Sequence, residues 1–175
     1  MKRGLYYFIK LVAISSRIFR NRDFYMLLMK KAHVLNGVKF IGKPRFIHPN
    51  VILDTVGDII LGNNIVISTG VLFLTHDYSF TTGLTSIDEK PLTDIALVYS
   101  ITVGDNCFIG ANSTILPGSK IGSNVIIGAG SIVKGVIPDF SIVAGNPAEI
   151  IKDIRLWVQH KKETVETKNM LTDKK

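Results

Sequence analysis

Aliphatic side chains recur every six residues along most of this chain. In one phase they fall at Val103, Ile109, Ile115, Ile121, Ile127 and Val133, with glycine next at 104, 110, 122 and 128. The series runs back through Leu61, Ile67 and Phe73, and through Ile41, Ile47 and Leu53. Its one slip is an eight-residue step from Leu53 to Leu61, an insertion at 55–58. A period of six suits neither an amphipathic helix nor simple strand alternation. It suits a chain that runs a short strand, turns through about 120° and repeats, so that three hexads close a coil. Stacked coils place Val103 on Ile121, Ile109 on Ile127 and Ile115 on Val133. Turn-forming residues fill the corners, as in Gly104-Asp105-Asn106 and Gly122-Ser123-Asn124. The pattern predicts an all-β parallel β-helix of about four coils. A β-sandwich would not keep such register.

The repeat breaks between Phe73 and Val103. Thirty residues separate them where two hexads would need twelve, so a loop leaves the coil at about 76–100. Function concentrates on loops held by a rigid scaffold, and His76 stands at the root of this one. Of the other histidines, His33 precedes the repeats and His160 follows them, and both read as surface residues. His48 occupies a corner and reads as structural. Asp77 adjoins His76 and should point away from it. An acid from the preceding coil, Asp54 or Asp58, is the better candidate to orient the ring.

Charge is unevenly placed. Of 21 basic and 14 acidic residues, positions 1–31 hold eight and one, leaving 13 of each in the remainder. All of the net charge of +7 therefore belongs to the N-terminal segment, and no basic face for nucleic acid is visible on the body. Residues 1–36 read as a basic amphipathic helical segment. It could cap the open end of the coil, the favoured reading, or lie on anionic lipid, and the two are compatible. The uncharged stretch Leu11–Ser16 is too short to span a bilayer. One cysteine, Cys107, allows neither an internal disulfide nor a multi-cysteine metal site, and no metal is expected. Residues 37–147 are expected to form the β-helix, 148–160 a short helix, and 161–175 a disordered tail.

The stretch ITVGDNCFIGANSTILPGSKIGSNVIIGAGSIVKGVIPDFSIVAGNPAEII, residues 101–151, resembles the bacterial hexapeptide-repeat acyltransferases. The likeness covers about residues 37–155. It is nearest the maltose and galactoside O-acetyltransferases and the related capsule and O-antigen acetyltransferases. The resemblance implies a left-handed coil, a homotrimer with sites between subunits, and acetyl-CoA as donor. It implies His76 as general base, since a thioester is already activated and needs only a proton removed from the attacking hydroxyl. Ala111 and Ala129 match positions that contact the pantetheine arm. Lys134, one residue earlier than the basic position of many relatives, and Lys152 are the phosphate candidates. Glu149 stands where relatives often place arginine. Asp54 and Asp58 could also hold a sugar hydroxyl, or be plain turn residues.

The implied function is O-acetylation of a sugar hydroxyl in surface polysaccharide synthesis. The expected location is the cytoplasm, at most peripheral to the inner face of the membrane. N-acetylation of a nucleotide-linked amino sugar uses the same scaffold. A γ-type carbonic anhydrase needs three histidines around zinc, and only His48 and His76 lie within the coils. A purely structural β-helix would have no use for the histidine-bearing loop.

Overall fold

The computed structural model describes residues 2–16 and 21–166. The repeat forms three parallel sheets, and the chain visits them in strict rotation. The first sheet contains β1 (Lys39–Phe40), β4 (Ile59–Leu61), β9 (Ile101–Val103), β12 (Lys120–Ile121) and β15 (Val136–Ile137). The second contains β2 (Phe46–Ile47), β5 (Val66–Ile67), β10 (Phe108–Ile109), β13 (Ile126–Ile127) and β16 (Ser141–Gly145). The third contains β3 (Ile52–Leu53), β6 (Leu72–Phe73), β11 (Thr114–Ile115) and β14 (Ile132–Val133). Register is constant from coil to coil. Val103 pairs with Ile121, Ile109 with Ile127, and Ile115 with Val133. These inward residues are buried, and with Leu61, Ile67 and Phe73 they form one continuous core.

Two details of the repeat differ from expectation. Ile41 is 79% exposed, and Phe40 takes the inward position opposite Leu61. The first corner carries an extra residue, which shifts the phase by one. The loop also replaces a single corner. Strand β6 on the third sheet is followed by β9 on the first, the next face in rotation, so one hexad is interrupted where two were expected.

Between the first and second sheets, Asn64, Asn106 and Asn124 adopt left-handed φ values of 55°, 55° and 58°. Their amides stack, Asn64 donating to Asn106 at 2.7 Å and Asn106 to Asn124 at 3.3 Å. Asparagine tolerates this backbone where a β-branched residue would not.

Two antiparallel-packed helices precede the coils. In α2 (Arg22–Leu35) the Asn21 side chain caps the N-terminus by accepting from the Phe24 amide at 2.9 Å. Gly37, at φ 102°, lets the chain leave its far end. Tyr25, Met26 and Met29 bury into the core at the first coil, and the Tyr25 hydroxyl donates to the Ile47 carbonyl at 2.6 Å. Helix α2 thus closes the open end of the prism. Helix α1 (Lys2–Ser16) packs on α2 through Tyr6, Ala13 and Ser16. His33 departs from its surface reading. It is fully buried on α2, with its ring 5.8 Å from that of Tyr6 and no hydrogen-bond partner for either nitrogen.

At the other end, the helix expected over 148–160 begins later. Residues 148–153 form β17 (Ala148–Asp153), antiparallel to β16 across a turn with a cis Asn146–Pro147 bond. The helix α4 (Ile154–Thr164) follows, capped by the Asp153 side chain, which accepts from the Arg155 amide at 2.7 Å. Residues 161–164 thus belong to a helix, and positions 167–175 of the expected tail lie outside the described residues.

Candidate active site

The loop leaves and re-enters as a small hairpin. Strand β7 (His76–Asp77) pairs antiparallel with β8 (Leu97–Val98), and α3 (Ser79–Thr85) lies between them. His76 is therefore the first residue off the scaffold, held by strand pairing on one side and by the coil on the other. Gly57 makes the close approach possible. Its amide donates to the Thr75 hydroxyl at 2.9 Å, and a Cβ there would lie 2.9 Å from the Tyr99 carbonyl oxygen.

Asp54 lies one coil below, where its amide donates to the Phe73 carbonyl at 3.0 Å. Its Oδ2 stands 2.7 Å from His76 Nδ1. The same oxygen accepts from the Thr75 amide at 2.9 Å and from the Thr75 hydroxyl at 2.8 Å. A carboxylate can only accept, so Nδ1 carries a proton, and in the neutral ring the lone pair is left on Nε2. Burial alone would raise the Asp54 pKa. The bonds from Thr75, His76 and the Val56 amide outweigh it and hold the carboxyl below its usual range. Tyr78 sets its ring edge-on to the imidazole at 5.6 Å. Asp77 accepts instead from Ser79, through its amide at 3.0 Å and its hydroxyl.

Asp58, the other acid of the insertion, makes an exposed ion pair with Lys39 at 2.7 Å and does not touch His76. Asp54 and Thr75 form the support of the ring. Asp54 was legible as one of two acids, whereas Thr75 was missed, its only signal being its place directly before the histidine. Beside Asp54 a cavity of about 700 Å³ opens between the first coil and the helices, lined by Tyr6, Tyr7, Lys10, Asn36 and residues 51–56.

The remaining candidates lie elsewhere. Ala111 and Ala129 follow β10 and β13, at the edge between the second and third sheets. His76, Asp54 and Lys134 all follow third-sheet strands, at the edge between the third and first. Lys134 is close enough to Asp77 to contribute to lowering its pKa, after the Ser79 bonds. Lys152 is on β17, exposed, and paired in register with Ile142. Within one chain the histidine and the two alanines thus occupy opposite edges of one sheet. His48 sits at a corner, where its Nδ1 accepts from the Asn50 amide at 3.2 Å. Cys107 is buried, and burial pushes its thiol up to about 11, which makes it a poor nucleophile.

The family described as "Bacterial transferase hexapeptide (six repeats)" matches residues 100–135. Galactoside O-acetyltransferase of Escherichia coli K12 is 33% identical over 129 residues, 65% of this chain and 63% of that one. The structure of a maltose O-acetyltransferase from Clostridium difficile 630 superposes with a TM-score of 0.56 at 26% identity, covering 86% of this chain and 88% of that one. The hexapeptide-repeat acetyltransferase VCA0836 from Vibrio cholerae superposes with a TM-score of 0.61 at 20% identity, over 87% and 90%, which shows a shared fold. That protein has also been solved with acetyl-CoA bound. These neighbours make the coil a left-handed parallel β-helix. The chain spans about half to two thirds of the length of the curated relatives it matches.

Proposed function

The chain belongs to the bacterial hexapeptide-repeat transferases, and from that premise we propose that it is an acetyl-CoA-dependent O-acetyltransferase acting on a sugar hydroxyl. The acceptor oxygen attacks the thioester carbonyl while His76 Nε2 takes its proton. A carbon–oxygen bond forms, the carbon–sulfur bond breaks, and the proton passes to the departing thiolate of coenzyme A. Asp54 keeps the ring in the required tautomer and stabilises the imidazolium that forms. A base so placed contributes about 10²–10⁴ in rate. The observation that carries this reading is the 2.7 Å contact between His76 and Asp54 at the root of the loop. The galactoside and maltose O-acetyltransferases among the similar proteins support a sugar hydroxyl as acceptor.

The two edges of the third sheet account for the assembly. If that sheet faces a rotation axis, its histidine edge meets the alanine edge of the next copy, and the contact repeats head to tail until it closes. A three-faced prism closes most simply as a trimer. The outward row of this sheet, Ile52, Leu72, Thr114 and Ile132, is mostly apolar, as a face against an axis should be. The coenzyme arm then runs along Ala111 and Ala129 of one copy towards His76 of the next, with Lys134 and Lys152 available to its phosphates. The cavity beside Asp54 lies on the opposite side of His76 along the coil axis. It is the space for the acceptor, with Asn36, Asp54 and Thr55 among its lining residues to meet a sugar hydroxyl.

Thiol release from acetyl-CoA, measured against a panel of sugars, nucleotide-sugars and amino sugars, tests this reading. A hydroxyl acceptor should be acetylated, and His76→Ala should lower kcat by about 10²–10⁴. Full turnover by that variant would remove His76 from the mechanism. Acetylation of an amino sugar alone would replace O-transfer with N-transfer.

A further inference from the structure

Helix α1 keeps half of its surface free of charge and uncovered. At 100° per residue, Leu5, Tyr7, Phe8, Leu11, Val12 and Ile14 fall on one continuous half of the helix, with only Gly4 and Ser15 between them. All eight are exposed, Phe8 at 63% and Leu11 at 62%. The opposite half, with Tyr6, Ala13 and Ser16, is the one that packs on α2. A helix whose only task was to cap the coil would turn polar residues outward, and this one turns two aromatic and four aliphatic side chains to water. Among the described residues no helix is long and apolar enough to cross a membrane.

Charge selects the occupant. Residues 1–31 carry the whole net charge of the chain, and α1 itself contains no acid. Lys10 borders the apolar half. Its ammonium reaches the Tyr6 hydroxyl at 3.4 Å and has no carboxylate partner among the described residues. A second copy would bring the same cationic segment against itself. An anionic bilayer offers what the surface lacks, an acyl boundary for the apolar half and phosphates for Lys10 at its border.

We propose that the outer half of α1 is a docking surface for an anionic lipid bilayer, entered by Phe8 and Leu11 and held electrostatically by the N-terminal basic residues. Helices α1 and α2 stand at one end of the prism, so docking leaves the coil edges at the sides free. Membrane attachment here requires no spanning segment and does not depend on acetyl transfer.

The test is cosedimentation of the full chain with phosphatidylcholine vesicles, with and without phosphatidylglycerol. Binding is expected only with phosphatidylglycerol, and raised salt should weaken it. Phe8→Glu and Leu11→Glu should each bind about tenfold more weakly or worse. Leu156→Glu, at an exposed apolar position of α4, should bind as the parent does. Circular dichroism verifies that the α1 variants stay folded. Absence of binding to either vesicle, or equal binding by folded Phe8→Glu and Leu11→Glu, overturns the proposal. So does a smaller assembly in sedimentation velocity for those variants without loss of vesicle binding, which would give the surface to a second copy.

Discussion

At Asp54 three donors converge on one carboxylate oxygen, two of them from Thr75 and the third from His76. Asp54→Asn would put an amide where the ring needs an acceptor and leave the wrong tautomer free to form. It should lower kcat by on the order of 10² or more with little change in acetyl-CoA binding, as steady-state kinetics would show. The depressed Asp54 pKa also has a sign in stability. The ionised form is favoured in the fold, so its contribution is present above the unfolded value of about 3.8 and is lost as pH falls through the folded value. His33 behaves differently. Burial, with help from the Lys10 charge, lowers its pKa to about 4. The unfolded chain then binds an extra proton between about 6.5 and 4, so stability falls as pH drops through that window, by on the order of 3 kcal/mol. Neither ring nitrogen has a partner to lose. His33→Phe should keep or raise stability at neutral pH and flatten the decline between 6.5 and 4 in denaturant melts. A decline unchanged in that variant would place its origin elsewhere.

The coils owe their register to corners as much as to the apolar ladder. Asn106 sits in the middle of the stacked amides, at φ 55° and bonded on both sides. Asn106→Val should cost about 1–3 kcal/mol, because a β-branched residue is strained there. Asn106→Gly should cost less, since it loses only the amide ladder. Equal losses in thermal melts would mean that the backbone conformation is not the constraint. The same spacing explains why the apolar series could be read by eye and where it misled. Strands of two or three residues leave each corner free to gain or lose a residue while the inward positions still stack. Ile41 falls out of phase for that reason, and the corner at Lys134-Gly135 is shortened so that Ile137 follows Val133 by four. The extruded hairpin is the extreme case, a single corner grown until it carries its own strands and helix.

Across the whole molecule, the proposed site is split between two edges that one chain cannot bring together. Two inactive variants should therefore complement each other. His76→Ala leaves the alanine edge intact, and Ala129→Trp, at an exposed corner, blocks the coenzyme arm while leaving the histidine edge intact. Mixed and reassembled, they should regain a fraction of parental thiol release, because some sites would combine two unmodified edges. A mixture as inactive as its parts, despite exchange of subunits, would place the whole site within one chain. The basic end follows a different logic. Net charge of +7 is confined to one terminus of an otherwise neutral body, so any attraction to an anionic surface orients the molecule as well as holding it.

The sequence by itself determined the repeat, the three-faced parallel coil and the identity of its inward residues beyond the first corner, because a six-residue period leaves an aliphatic side chain few other places to go. It also marked His76, since an interruption in so regular a pattern is visible without coordinates. Composition along the chain located the basic end. Choosing between Asp54 and Asp58 needed the tertiary structure, because both belong to one insertion and only the path of the backbone brings one to the ring and the other to Lys39. The burial of His33 required it too. A histidine on a helix outside the repeats has no periodic partner, and its surroundings come from α1, distant in sequence and packed across it. The separation of His76 from Ala111 and Ala129 is likewise a product of the winding. Residues in neighbouring hexads lie on different edges of the prism, and sequence distance says nothing about which edge until the coil is closed.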